Sequence, residues 1–172
     1  MDDHLAAALL PLLAMAALVD LRRRRIPNWI AGAVAGLGLA ALATNHAGML
    51  WQHVLVALLT LVAGIAIWSR GLLGGGDVKL LAALSLWAGP AHIGSLLLAT
   101  GLAGGLLALG LMLVGPAGRL PATTMLPWRL ARLLPGTSRE DSLQAAAAPV
   151  GTLPYGLAIA CGGGWLVHLL LA

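Results

Sequence analysis

Gly74-Gly75-Gly76-Asp77-Val78-Lys79 interrupts a chain that is otherwise almost continuously apolar. A carboxylate and an ammonium directly after three glycines, beside long hydrophobic segments, need a physical reason. Glycine admits φ > 0 and lets another backbone come close. The stretch therefore reads as the mouth of a helix that presents Asp77, with room beside it for a substrate chain. Ionisable groups at membrane depth mark functional sites and call for a named partner. Here the partner is Asp20, the other acidic residue adjoining a long apolar segment.

Of the 172 residues, 60% are hydrophobic and 9% charged, and the mean hydropathy is +0.94. That composition excludes an ordinary soluble domain and indicates one integral membrane domain spanning residues 1–172. Phe is absent and Tyr occurs once, so Leu, Ala, Val and Ile carry the apolar mass. Those segments lack period-2 alternation, which favours helices over a membrane barrel. Met1-Asp2-Asp3-His4 lacks the positive region of a signal peptide, so no cleaved signal is expected. Cys161 is the single cysteine and reads as a small packing residue. A pI near 10.7 would suit nucleic acid. The arginines instead flank hydrophobic segments and read as topology signals, so membrane lipid is expected as a partner and nucleic acid is not.

Residues 5–19 form the first apolar segment, which runs into Asp20-Leu21-Arg22-Arg23-Arg24-Arg25. Four arginines pin that end in the cytoplasm and put the N-terminus outside. Ile26-Pro27-Asn28 follows, with Asn28 as the expected N-cap of a second helix over 29–44. After a short loop, residues 49–68 return to the cytoplasm. The glycine stretch leads into 78–88, Gly89-Pro90 breaks the chain, and 92–114 is another apolar run. Residues 115–151 form a long polar loop, and 152–172 the last helix. The segment 78–88 covers only about 16 Å against a hydrocarbon core of about 30 Å. If it crosses, all ten Lys and Arg residues lie inside. If it does not, the four arginines of 115–151 move outside. The charge rule favours crossing, which gives an all-α, polytopic protein of about six membrane helices with both termini outside. Within the loop, 127–134 mixes apolar residues with Arg129 and Arg132, as a surface-lying segment or a solvated loop would.

Under this topology Asp20 and Asp77 approach one membrane boundary from the same side. Two carboxylates a few ångströms apart resist simultaneous ionisation and share a proton. One can then act as base on a water and the other as acid to a carbonyl. Each acid also has a simpler reading: Asp20 as an ion-pair partner of its neighbouring arginines, and Asp77 as an acid favoured by a helix N-terminus. The sequence allows both readings for each.

Gly74-x-Gly76-Asp77 resembles the GxGD motif of intramembrane aspartyl proteases. Asp20 with its arginines and Ile26-Pro27-Asn28 resembles the first catalytic-aspartate region of type IV prepilin peptidases. The sequence Gly74-Gly75-Gly76-Asp77-Val78-Lys79-Leu80 resembles their second, and Leu153-Pro154-Tyr155-Gly156-Leu157-Ala158-Ile159 the start of their last helix. The short chain is similar to the minimal tight-adherence (Flp pilus) branch. The resemblance implies an aspartic endopeptidase of the bacterial inner membrane, with Asp20 and Asp77 as the catalytic pair near the cytoplasmic face. It also implies a prepilin or pseudopilin substrate, contact with pilus assembly or secretion machinery, and no cofactor. No CxxC precedes the first helix, so the methyltransferase activity of larger relatives is not expected. Gly74, Gly76, Lys79, Ile26, Pro27, Asn28, Pro154, Tyr155 and Gly156 follow as residues that shape the site or touch substrate.

Other residues have plainer roles. Tyr155 suits a membrane interface, and Lys79 marks the inner boundary. No serine has a base beside it in the sequence pattern. His46 and His53 could form an outer metal site only with further ligands, so no metal is expected. Gly101 to Gly105 and Gly162 to Gly164 lie within apolar runs and read as close helix packing. The competing function is a small ion- or proton-coupled carrier using the same two carboxylates. A carrier would place its acids near mid-depth and show repeat-related halves, and neither is apparent. A structural component with salt-bridged acids is the third reading.

Overall fold

The computed structural model describes residues 3–23, 26–45, 47–114 and 155–171, all of whose regular structure is helical. Helix α1 (Asp3–Ala7) and helix α2 (Leu9–Arg23) form one apolar rod with a turn at Ala8. Pro11 explains the turn, because proline cannot donate to the Ala7 carbonyl four residues back. The rod continues past Val19 to Arg23 because leucine and arginine are good helix formers. Asp20 therefore sits inside the last turn of α2, not at the helix end. Helix α3 (Asn28–Asn45) begins with the Ile30 N–H bonded to the Pro27 carbonyl at 3.1 Å. Asn28, expected as N-cap, is instead the first helical residue, and its side chain turns toward α5. A 3₁₀ turn (Ala47–Met49) leads to α4 (Leu50–Trp68), then come α5 (Gly75–Val114) and α6 (Tyr155–Leu171). The loop 115–151, its segment 127–134 and Pro154 lie outside the described residues, as do Arg24, Arg25 and His46.

Helix α5 is two limbs joined at Gly89, whose φ of 55° and ψ of −169° are non-helical. The glycines with positive φ are Gly89 and Gly71 (φ 73°). Gly74 to Gly76 are not among them, so that stretch uses glycine for close approach and not for a left-handed turn. The first limb, residues 75–88, starts three residues before the expected Val78 and extends about 21 Å at 1.5 Å per residue.

Close contacts fix how the helices run. A Cβ added at Gly64 would lie 2.6 Å from Val78 Cγ1, one at Gly75 would lie 3.5 Å from Trp68, and His53 Nδ1 meets the Leu86 carbonyl at 2.8 Å. Helix α4 is thus antiparallel to the first limb. Lys79 bonds Asn28, and Trp87 Nε1 donates to the Val34 carbonyl at 2.8 Å, so α3 runs parallel to that limb. Gly156 meets Asp20 and Gly163 meets Leu13, which makes α6 antiparallel to α2. Gly163 also meets Leu84, whereas Gly162 meets Thr100 and Gly104 meets Ala158. Helix α6 is therefore parallel to the first limb and antiparallel to the second, so the chain reverses direction at Gly89-Pro90.

This reversal leaves the Leu86 carbonyl without a donor four residues on, because Pro90 has no N–H. His53 supplies one from α4. A carbonyl only accepts, so the imidazole carries its proton on Nδ1. The positive φ and the missing Cβ of Gly89 make room for the ring, which any side chain at 89 would overlap.

The buried core joins Leu13 and Ala16 of α2, Ile30 and Val34 of α3, Leu80, Leu84 and Trp87 of the first limb, Leu96 of the second, and Ile159 and Leu166 of α6. Leu58, Leu59 and Val62 of α4 and Leu98, Leu106 and Leu113 of the second limb face outward. Three stretches, His4–Leu21, Leu50–Trp68 and Gly75–Gly110, are long and apolar enough to cross a membrane. Gly162 and Gly163 are tight packing points as expected, but Gly164 has open space beside it and Cys161, expected as a packing residue, is exposed. Gly101 and Gly105 have open space beside them, so close packing in that cluster is limited to Gly104, at ordinary contact distance from Ala158.

Candidate active site

The helix directions bring five ends together: the C-termini of α2 and α4 and the N-termini of α3, α5 and α6. Between them lies a cavity of about 440 Å³ lined by Asp20, Ile26, Gly74, Gly75, Gly76, Asp77 and Lys79. Asp20 is 4% exposed and Asp77 8%, so both carboxylates are removed from bulk water. They are close enough to interact through their charges.

Asp77 is the third residue of α5, and Gly74 is its N-cap: the Gly74 carbonyl accepts the Val78 N–H at 3.1 Å. The Asp77 carboxyl turns back toward the Gly74 backbone, as the acid at the third position of a capping box does, although a glycine N-cap has no side chain to return the bond. A Cβ on Gly74 would lie 2.7 Å from Asp77 Oδ2, so the carboxyl occupies the space a side chain would need. The other oxygen, Oδ1, is buried with no hydrogen-bond partner among the described residues. Gly76 has a different task. A Cβ there would lie 3.0 Å from both the carbonyl oxygen and the Cβ of Ile26, so glycine lets the segment before α3 press onto the first turn of α5.

Asp20 is held from another helix. The Gly156 N–H, at the second position of α6, donates to Asp20 Oδ2 at 2.8 Å. Helix N-termini leave such N–H groups unsatisfied and favour negative charge beside them. Asp20 thus caps α6 from α2. Asp77 lies in the first turn of its own helix, as its simpler reading expects, whereas Asp20 meets the N-terminus of another helix, and both acids are buried in one cavity.

The remaining candidates divide. Ile26 and Lys79 line the cavity. Asn28 reaches it only through Lys79, whose Nζ donates to Asn28 Oδ1 at 2.9 Å on the exposed rim. Pro27 is half-buried and acts through its carbonyl at the start of α3. Tyr155 is half-buried as the first residue of α6. Gly75 lines the cavity but was not singled out by the sequence motifs, since it occupies the variable position of GxGD. Among the described residues no three His, Cys, Asp or Glu side chains come together as metal ligands. His53, weighed with His46 for a metal, is committed to the Leu86 carbonyl.

An all-helical membrane protein with two buried aspartates facing one cavity at one end of the bundle is the class that this fold and site define. The chain belongs to the type IV leader peptidase family, whose model matches residues 7–109. Membership makes it a leader-peptidase-like hydrolase. The matched stretch contains both aspartates and the glycine run, whereas α6 lies outside it. No curated protein and no solved structure matches the chain.

Proposed function

We propose that this chain is an aspartic endopeptidase that removes the leader of a type IV, Flp-like prepilin at the cytoplasmic face of the bacterial inner membrane. The observation that carries the reading is the shared cavity. Asp20 and Asp77 come from separate helices, are buried, and face one space that a chain could enter. One carboxylate takes a proton from a water, whose oxygen attacks the scissile carbonyl carbon. The proton on the other carboxyl goes to the carbonyl oxygen. Collapse of the tetrahedral intermediate breaks the C–N bond, and a proton passes to the leaving nitrogen. Ile26 and Gly74 to Gly76 form the walls against which the chain lies extended.

The topology follows from the same reading. Six apolar segments run alternately, counting α1 with α2 and the limbs of α5 separately, so both termini lie outside. The end that holds the aspartates also holds the last turn of α2 with Arg22 and Arg23, and Arg70 and Lys79, which supports its assignment to the cytoplasm. A carrier would hold its acids near mid-depth, and both acids here lie in terminal turns. Prepilin substrate, lipid and the assembly machinery are the partners; the domain is one unit with 115–151 as an inner loop.

The test is leader cleavage of a co-expressed small prepilin in membranes, with Asp20→Asn and Asp77→Asn at matched levels. Each variant is expected to lose at least about 100-fold in rate, the lower range of acid–base contributions. Near-full cleavage by either variant removes the dyad.

A further inference from the structure

We infer that Gly156 is a positioning residue for the reaction: the N-terminus of α6 is the seat of Asp20, as Gly74 is the seat of Asp77. This inference rests on the peptidase reading and adds to it a residue outside the matched stretch 7–109.

The two seats share one construction. Each carboxyl lies against the backbone of a glycine at a helix N-terminus: Asp77 against Gly74, and Asp20 against Gly156, whose N–H donates to it at 2.8 Å. At each glycine an added Cβ would lie 2.7 Å from the carboxyl it serves; at Gly156 it would meet Asp20 Cβ, Cγ and Oδ2 alike. Those atoms belong to a buried residue in a packed helix and cannot swing aside as a flexible chain end would. A charge-assisted bond of this kind is among the stronger ones in a protein, and burial strengthens it further.

The seats differ in one respect that matters for function. Asp77 is held by its own helix, three residues from its glycine. Asp20 is held across the bundle, by a helix whose start is joined to the matched core only through residues 115–154. The docking of α6 thus contributes to the position of Asp20, and this seat is complete only with that helix in place. Pro154, the residue before α6, carries no side-chain oxygen to satisfy the Gly156 N–H, so Asp20 supplies the acceptor. The arrangement stabilises the helix start and orients the acid with one hydrogen bond.

Gly156→Ala tests this, with Gly163→Ala as the control in the same helix. The atoms nearest a Cβ at Gly163 would be terminal methyls of Leu13 and Leu84, side-chain ends that can yield. Gly156→Ala is expected to lower kcat about 10- to 100-fold, the equivalent of one bond to a charged group, with KM little changed. Gly163→Ala is expected to leave kcat within about threefold. A second readout does not depend on cleavage. In ¹⁵N-glycine-labelled protein in micelles, the Gly156 amide, assigned by its loss in Gly156→Ala, should shift on Asp20→Ala while the Gly74 amide stays in place. A Gly156→Ala protein with full kcat, or a Gly156 amide indifferent to Asp20, overturns the inference. A chain that cleaves no prepilin but shows the amide response keeps the seat and loses the peptidase reading.

Discussion

His53→Ala is expected to loosen the turn at Gly89-Pro90 without reaching the cavity. The Leu86 carbonyl has His53 Nδ1 as its donor at 2.8 Å, and Pro90 cannot replace it. Leaving a buried carbonyl unsatisfied costs about 1–3 kcal/mol. Loss of a partly buried ring adds about 1 kcal/mol, for a total of about 2–4 kcal/mol. Gly89→Ala should be destabilising for two separable reasons. A non-glycine residue at φ 55° carries about 1–2 kcal/mol of backbone strain, and the new methyl would overlap the His53 ring. In the His53→Ala background the overlap disappears and only the strain remains. The double variant should therefore be less damaged than the sum of the singles, by at least about 1 kcal/mol. Equilibrium unfolding in mixed micelles, followed by tryptophan fluorescence, reads this directly, because Trp51 and Trp87 flank the clamp. Cleavage at a permissive temperature should stay within about threefold, as expected for a site remote from the reacting groups. Additive single effects, or a His53→Ala cost below about 0.5 kcal/mol, would refute the clamp.

Gly74→Ala should cut cleavage about 10- to 100-fold: its methyl, 2.7 Å from Asp77 Oδ2, must displace the carboxyl by several tenths of an ångström to reach ordinary contact. Gly38→Ala and Gly36→Ala form a matched pair in α3, read by thermal unfolding. A methyl at Gly38 would lie 2.7 Å from Trp87 Nε1 and disturb its bond to Val34, whereas Gly36 has open space. The first should destabilise by about 1–3 kcal/mol, and the second should be neutral or stabilising by up to about 1 kcal/mol from helix propensity. Lys79→Met breaks an exposed bond to Asn28 and should change stability by less than about 1 kcal/mol.

Much of this site can be read from residue order because its essential features are chemical rarities in an apolar chain. Asp20 and Asp77 stand out as acids beside long hydrophobic segments, and the GxGD glycines stand out as small residues directly before one of them. The return direction of α4 and the break at Gly89-Pro90 follow from the order of apolar segments and from glycine and proline chemistry. Long-range partnerships are less legible. That Gly156 donates to Asp20 depends on α2 and α6 running antiparallel at one register, and no local spacing encodes that register. The His53 to Leu86 bond left one trace, since Pro90 requires an outside donor for the carbonyl four residues earlier, but it does not say which helix provides it. The Asn28 expectation failed for a related reason. Capping is a local preference, and a lysine brought alongside from α5 competed successfully for the side-chain oxygen.

The dimensions of the two seats predict why both acids are aspartate. Glutamate has nearly the same intrinsic acidity, about 4.3 against about 3.9, and can perform the same proton transfers. What it adds is one methylene, which extends the carboxyl by about 1.5 Å. Gly74 and Gly156 already stand where a methyl group would be 2.7 Å from the aspartate they serve, so neither seat has spare length. A glutamate at 77 must fold away from the Gly74 backbone or carry its carboxyl deeper into the cavity. At 20 it must give up the Gly156 N–H or push α6 outward. A misplacement of about 1 Å can cost about 100-fold in an oriented reaction. Asp20→Glu and Asp77→Glu are therefore expected to fall as far as the asparagine variants in prepilin cleavage while remaining folded and inserted. If glutamate at either position keeps a third of the parental rate, charge alone suffices there, and the glycine seat at that position does not set the geometry of the reaction.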